Sequence, residues 1–326
     1  MRIPHLIKFT LVFTLMVILM GAYTRLSDAG LGCPDWPGCY GHLTVPNESH
    51  ELAKVEAHFP EHTVEPEKAW LEMIHRYIAG TLGLLVLVIL ILCLKQPSAP
   101  KKLPILISAL IIFQAALGMW TVTMKLMPIV VMSHLIGGFS LFSLLFILYL
   151  RTKPLRIPGG DLYARKLAPI AAFGLAVLVI QIILGGWTSS NYAALACTTL
   201  PICEGNWVDN LRFADAFSPF QGNHPSFEFG VLDYATRMTI HISHRIWGVL
   251  TAIILVWIAI KLLKAQSSTM RKSAFLLILL VIAQVALGIS NVVMHLPLGI
   301  AVSHNGGAAL LLLTMVFINY ALWRKA

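Results

Sequence analysis

Two short stretches of this sequence hold ionisable residues where a long apolar run begins. They are LEMIHRYIAG, with His75 and Arg76, and HISHRIWG, with His244 and Arg245. A second histidine follows each, His134 in MSHLIGG and His304 in VSHNGGA. An ionisable group inside a lipid-crossing segment is costly and points to function by default. Two neutral imidazoles offered by facing helices meet the requirement for bis-histidine haem ligation, provided small residues let the flat macrocycle approach the backbone. Gly80, Gly83, Gly118, Gly137 and Gly138 supply that room after the first pair, and Gly248, Gly288, Gly306 and Gly307 around the second. Glycine also serves membrane helix packing on its own, and a single membrane histidine is more often a hydrogen-bonded interior residue. The pairing, not any one residue, carries the haem reading.

The neighbours of these histidines extend it. Arg76, Arg245 and Arg25 suit haem propionates, which a guanidinium binds through paired hydrogen bonds; snorkelling to the membrane interface is the plainer alternative. Three residues before His75 stands Glu72, and three before His244 stands His241, each on one helix face with its histidine. Glu72 is the one acidic residue in the apolar runs. A carboxylate there can move protons or stabilise a cation. E-x-x-H also occurs in carboxylate-bridged di-iron bundles, but those need further glutamates from neighbouring helices, and the apolar runs contain none. His241 receives no firm role. The other seven histidines, His5, His42, His50, His58, His62, His224 and His295, read as solvated residues of tails and loops.

These residues must be positioned by membrane helices. The chain has 326 residues, 57% hydrophobic and 12% charged, with a mean hydropathy of +0.78, which excludes an ordinary soluble domain. Eight apolar runs of membrane-crossing length are predicted at 9–26, 71–94, 103–124, 128–150, 167–189, 239–263, 273–294 and 298–323. The first ends in GAYTRLSDAG without a small-x-small cleavage site and reads as a retained helix. Lys and Arg gather in Arg2 to Lys8, Lys95 to Lys102, Arg151 to Lys166, Lys261 to Lys272, and Arg324 with Lys325. The positive-inside rule then places both termini in the cytoplasm and the long loops 27–70 and 190–238 outside. Of 15 acidic residues only Asp161 falls inside, so the net charge of +9 reflects topology and calls for no nucleic acid.

An internal repeat organises the runs. QAALG at 114–118 recurs as QVALG at 284–288, and His134 recurs as His304, both at an offset of 170. The two His-Arg pairs are 169 apart, while Cys33 and Cys39 match Cys197 and Cys203 at an offset of 164. The expected fold is an all-α membrane protein of two four-helix bundles in parallel tandem repeat, 1–150 and 167–326, joined by a cytoplasmic linker at 151–166. Because even-numbered spans run inward, the four repeat-related histidines lie near the outer face. Each cysteine pair is six apart on the side where disulfides persist. Free thiols and zinc ligation are the weaker alternatives, and the tight CPDWPGC loop admits a redox-active pair.

GAYTRLSDAGLGCPDWPGC at 21–39, EMIHR at 72–76, His134, His304 and HISHR at 241–245 resemble the haem A synthase family, which serves cytochrome oxidase assembly. The likeness spans essentially the whole chain. It implies oxidation of the C8 methyl of haem O to a formyl group by two hydroxylations and loss of water. It also implies that His75 and His134 hold the substrate haem, that Glu72 is the catalytic carboxylate, and that His244 and His304 ligate a haem b iron. The outer cysteine pairs resemble disulfides of those members that have them, with Cys197 and Cys203 structural. Implied partners are the farnesyltransferase that makes haem O, the cytochrome oxidase assembly machinery, an unidentified electron donor or acceptor, and membrane lipid; a homo-oligomer is compatible. The expected location is a bacterial inner membrane. The rival from another class is a di-haem b-type cytochrome passing electrons from quinol, which accounts for four histidines but not for Glu72 in place of a histidine. A repeat-built transporter would need interrupted helices and polar groups near mid-membrane.

Overall fold

The structure, a computed structural model, describes residues 3–152 and 161–324. Among these the secondary structure is helical apart from one isolated bridge between Cys39 and His42. Eight helices are long and apolar enough to cross a membrane: α1 (Ile3–Leu26), α3 (Pro66–Lys95), α4 (Lys102–Thr123), α5 (Pro128–Arg151), α7 (Ala168–Ser190), α9 (Tyr234–Leu263), α10 (Ser268–Val293) and α11 (Leu298–Trp323). The chain is a multi-pass membrane protein. In lipid every backbone N–H and C=O must find a partner inside the protein, and a continuous helix does this within its own segment.

All eight predicted runs fall on these helices, but α1 begins six residues earlier than hydropathy places it, and α3, α9 and α10 each begin about one turn earlier. Their polar first turns have their own start signals. Pro66 occupies the first turn of α3, the Asp233 carboxylate accepts the Thr236 N–H before α9, and the Ser267 hydroxyl accepts the Met270 N–H before α10. Three shorter helices lie between the spans: α2 (Ser49–His58), α6 (Leu162–Lys166) and α8 (Phe213–Ala216). Helix α2 opens on a reciprocal capping box between Glu48 and Glu51.

Two compact units form, Met1–Leu141 with Pro219–Val231, and Phe142–Ser218 with Leu232–Ala326. They differ from the expected halves at two places: the last part of α5 groups with the second unit, and a piece of the second long loop groups with the first. In that piece Phe227 is buried, and its N–H donates to the Lys125 carbonyl at the α4–α5 turn. Beside it, burial pushes the Glu228 carboxyl up, opposed by the nearby Lys68 cation. Of the expected linker 151–166, residues 153–160 lie outside the described residues.

Within the first unit α3 packs against α1 and α4. In the second, α7 packs on α9 and α11, and α10 packs on the same two, closing a four-helix ring. The local geometry is consistent with the tandem repeat. Asp28 and Tyr192, 164 apart, both have positive φ (51° and 52°). The following Ala29 and Ala193 donate N–H bonds back to Thr24 and Thr188. The turns at Lys125-Leu126 and His295-Leu296, 170 apart, repeat the same left-handed pair.

Candidate functional site

His75 lies in the third turn of α3 and His134 in the second turn of α5, so both sit at the helix starts of the first unit. Their rings interact electrostatically. Each ring presses on a glycine of a neighbouring helix: a Cβ at Gly21 would come within 2.8 Å of the His75 ring, and one at Gly118 within 3.4 Å of His134. A side chain on α1 at that point would displace the imidazole. Behind His134, Gln114 fills the space that Gly137 leaves open. The Nδ1 atoms of His75 and His134 are buried without a hydrogen-bond partner.

One turn before His75, Glu72 is buried at 5% exposure. Its Oε2 accepts the Cys33 N–H at 2.9 Å, and its Oε1 accepts Arg76 Nη2 at 2.5 Å. Arg76 in turn donates through Nη1 to the carbonyls of Pro37 and Gly38. The carboxylate is thereby held between its own helix and the loop that Cys33 and Cys39 close as a disulfide. Gly32 makes the approach feasible, since a Cβ there would stand 2.6 Å from the Lys68 backbone of α3. Asp35 shapes the rest of the loop by accepting the N–H groups of Tyr40 and Gly41 at 2.6 and 2.7 Å. Tyr40, Val45 and Val55 pack with the disulfide against Ala69 and Met73 of α3. Burial, helped by Glu65, Glu72 and Asp35, pushes the Tyr40 phenol up and keeps it neutral.

The second unit repeats the plan with different chemistry. His244 in α9 and His304 in α11 interact electrostatically. Each is backed by a glycine: Cβ atoms at Gly185 and Gly288 would stand 3.1 and 3.4 Å from the His244 and His304 rings. Gln284 donates to the His304 carbonyl at 2.8 Å beside Gly307. His304 Nδ1 is buried without a partner, whereas His244 Nδ1 lies 3.2 Å from the Gln181 amide of α7. Arg245 donates through Nε to His241 Nε2 at 3.0 Å, and through its other nitrogens to the carbonyls of Cys197 and Thr199 at 2.5 and 2.7 Å. Cys197 and Cys203 form the second disulfide. Arg245 thus clamps its loop to α9 as Arg76 clamps the first loop to α3, with His241 in the place of Glu72.

The structure therefore brings Glu72, His75, Arg76, His134 and the first disulfide together in one unit, and His241, His244, Arg245, His304 and the second disulfide in the other. Arg76 and Arg245 divide their guanidinium hydrogen bonds between the loops and residues 72 and 241 of their own helices. Arg25 closes α1, 4.0 Å from the Asp28 carboxylate. Of the glycines expected to make room, Gly80 and Gly83 would meet nothing with an added Cβ. Gly21, Gly185, Gln181 and Gly32 were not singled out from sequence. The signal was available for Gly21 and Gly185, which share the 164 offset of the cysteines. Among the described residues no three His, Cys, Asp or Glu gather in metal-holding geometry; bis-imidazole ligation needs two per iron. Paired imidazoles with unclaimed ring nitrogens, seated on glycine, fit a haem in each unit.

Comparison with known proteins points the same way. The sequence model of the family described as cytochrome oxidase assembly protein, COX15-CtaA, matches residues 5–316. A heme A synthase of Shewanella oneidensis is 70% identical over 326 residues, covering 100% of this chain and 98% of that protein. Heme A synthases of Nitrosospira multiformis and Mesorhizobium japonicum are 26% and 25% identical, covering 97% and 91% of this chain and 91% and 84% of their own lengths.

Proposed function

This chain belongs to the COX15-CtaA family of cytochrome oxidase assembly proteins, and from that membership we propose that it is a haem A synthase, converting haem O to haem A. The substrate is haem O, held in the first unit by His75 and His134. The reaction takes its C8 methyl carbon through two hydroxylations, each a two-electron oxidation of the carbon that draws on an external redox partner, to a geminal diol, which loses water to leave the formyl group. The observation that carries the assignment is the position of Glu72. It is a buried carboxylate one helical turn from a haem-ligating histidine, and its two oxygens are fixed by the Arg76 guanidinium and the Cys33 N–H.

A carboxylate fixed in this way can oppose positive charge developing at the methyl carbon, or take up the proton that leaves it. Arg76 holds it in place. The glycines under the two rings fix where the macrocycle lies. In the second unit His244 and His304 would hold a haem b, which would supply one-electron redox chemistry when bound. At the matching position His241 offers no negative charge, and Arg245 already claims its Nε2. We place the protein in a bacterial inner membrane with both termini cytoplasmic and the haem sites toward the outer face, in line with the basic residues of its inner loops. A haem O-producing farnesyltransferase supplies the substrate, and cytochrome oxidase receives the product.

Mass identification of extracted haems tests the proposal. Glu72→Ala should retain haem b and its spectrum but yield no haem A. Normal haem A output from that variant would remove Glu72 from the chemistry. Wild-type protein that carries only haem B, with no haem O, hydroxylated haem O or haem A even when haem O is supplied, would point instead to an electron-transfer cytochrome.

A further inference from the structure

The two units differ at a position that touches a ligand histidine from behind. Gln181 of α7 reaches His244 Nδ1 at 3.2 Å, and it lies in a slot left by Gly248 of α9, where an added Cβ would come within 3.0 Å of the amide nitrogen. At the 164 offset that aligns Gly21 with Gly185 and Cys33 with Cys197, the counterpart of Gln181 is Val17. At the 169 offset that aligns His75 with His244, the counterpart of Gly248 is Ala79. The amide and the space for it are present together in one half and absent together in the other. His75 Nδ1 is accordingly buried with no partner.

We infer that Gln181 is a positioning residue for the resident haem, and that its absence from the first half leaves His75 the looser ligand suited to a haem that must arrive and depart. The inference rests on the reading that His244 and His304 hold a permanent haem b. A neutral imidazole that ligates iron through Nε2 carries its proton on Nδ1, so His244 then donates Nδ1–H to the amide oxygen of Gln181. That requires only the half-turn of the amide that exchanges its oxygen and nitrogen, and it gives Gln181 Oε1, now buried without a partner, the donor it lacks. A hydrogen bond of this kind fixes ring orientation and raises ligand basicity, and losing one weakens metal binding by about ten- to a hundred-fold. A more basic ligand favours ferric over ferrous iron and so lowers the midpoint potential.

Full-length variants purified in detergent test this by haem b content and redox titration of the low-spin signal. Gln181→Val with Gly248→Ala reproduces the first half's own pair, so the slot is filled and the fold retained. It should lose haem b on dilution and titrate at a higher potential than wild type. Gln181→Glu, which offers a stronger acceptor, should titrate lower. An ordered series, Glu below Gln below Val, is what a hydrogen bond to the ligand produces and a packing role does not. Unmoved potentials, or both variants shifting the same way, would overturn the inference. His244→Ala is the control for the reading beneath it. If that variant keeps the bis-histidine haem b signal, the haem assignment itself is wrong; if it loses the signal while the Gln181 series stays flat, only the role of Gln181 falls.

Discussion

Arg76 does two jobs with one guanidinium, and the loss of either should be measurable. It donates to Glu72 and to the backbone carbonyls of Pro37 and Gly38, so the planar fork sets both the carboxylate and the loop that covers it. Lysine keeps the positive charge but not the fork. Arg76→Lys should therefore leave the haem b spectrum intact while haem A formation falls about ten- to a hundred-fold, the range that corresponds to losing one charge-assisted hydrogen bond of roughly 1.5–3 kcal/mol. Haem A yield per chain in membranes is the measurement, and wild-type yield would show that the clamp is dispensable. At this scale the sequence was informative about which residues matter and silent about their partners. The spacing of Glu72 and His75 put them on one helix face, but nothing local to HRYIAG says that Arg76 turns toward residues 37 and 38. That depends on how the loop folds back onto α3, through Gly32 and the Asp35 turn.

Among the elements, the apolar runs were legible because a lipid-crossing helix is a matter of length and composition, and the loops were not, because their order comes from tertiary contacts. Helix α2, the burial of Phe227 in the first unit, and the polar first turns of α3, α9 and α10 all depend on caps and packing that hydropathy ignores. Asp161 shows the same division. From sequence it is only the lone acidic residue of the inner loops. In the structure its Oδ1 caps α6 through the Ala164 N–H, and its Oδ2 accepts the Ser267 N–H, which pins the stretch before α10 to α6. Burial pushes this carboxyl up, but the backbone donors outweigh it and hold its pKa below the usual value. A depressed carboxylate stabilises the fold above its unfolded pKa of about 3.9, and that contribution is lost as pH falls through the lower folded value. Asp161→Ala should lower the thermal midpoint in detergent at pH 7, by an amount in keeping with a cap of about 1 kcal/mol. The gap from wild type should close as the assay pH is taken below 4. A gap independent of pH would mean that the carboxylate's charge contributes nothing.

For the molecule as a whole, the question is what makes one half the place of reaction when the same clamp, disulfide and histidine pair occur twice. The Glu72 and His241 exchange is one difference, and Val17 against Gln181 with Ala79 against Gly248 is the other, which on the inference above sets how firmly each half would grip its haem. If chemistry needed only a carboxylate one turn before the ligand, His241→Glu would create a second reaction site. The geometry would accept it, since Arg245 already reaches residue 241 as Arg76 reaches residue 72. Catalysis, however, requires haem O at that carboxylate, and a haem b held through His244 with Gln181 behind it does not make way. The double variant Glu72→Gln with His241→Glu should therefore bind haem b, show a modest change in its low-spin spectrum from the new carboxylate, and form no haem A when haem O is supplied. Extraction and mass identification decide it. Haem A or hydroxylated haem O from this variant would mean that the second half exchanges its haem, and that the carboxylate alone had confined the reaction to the first.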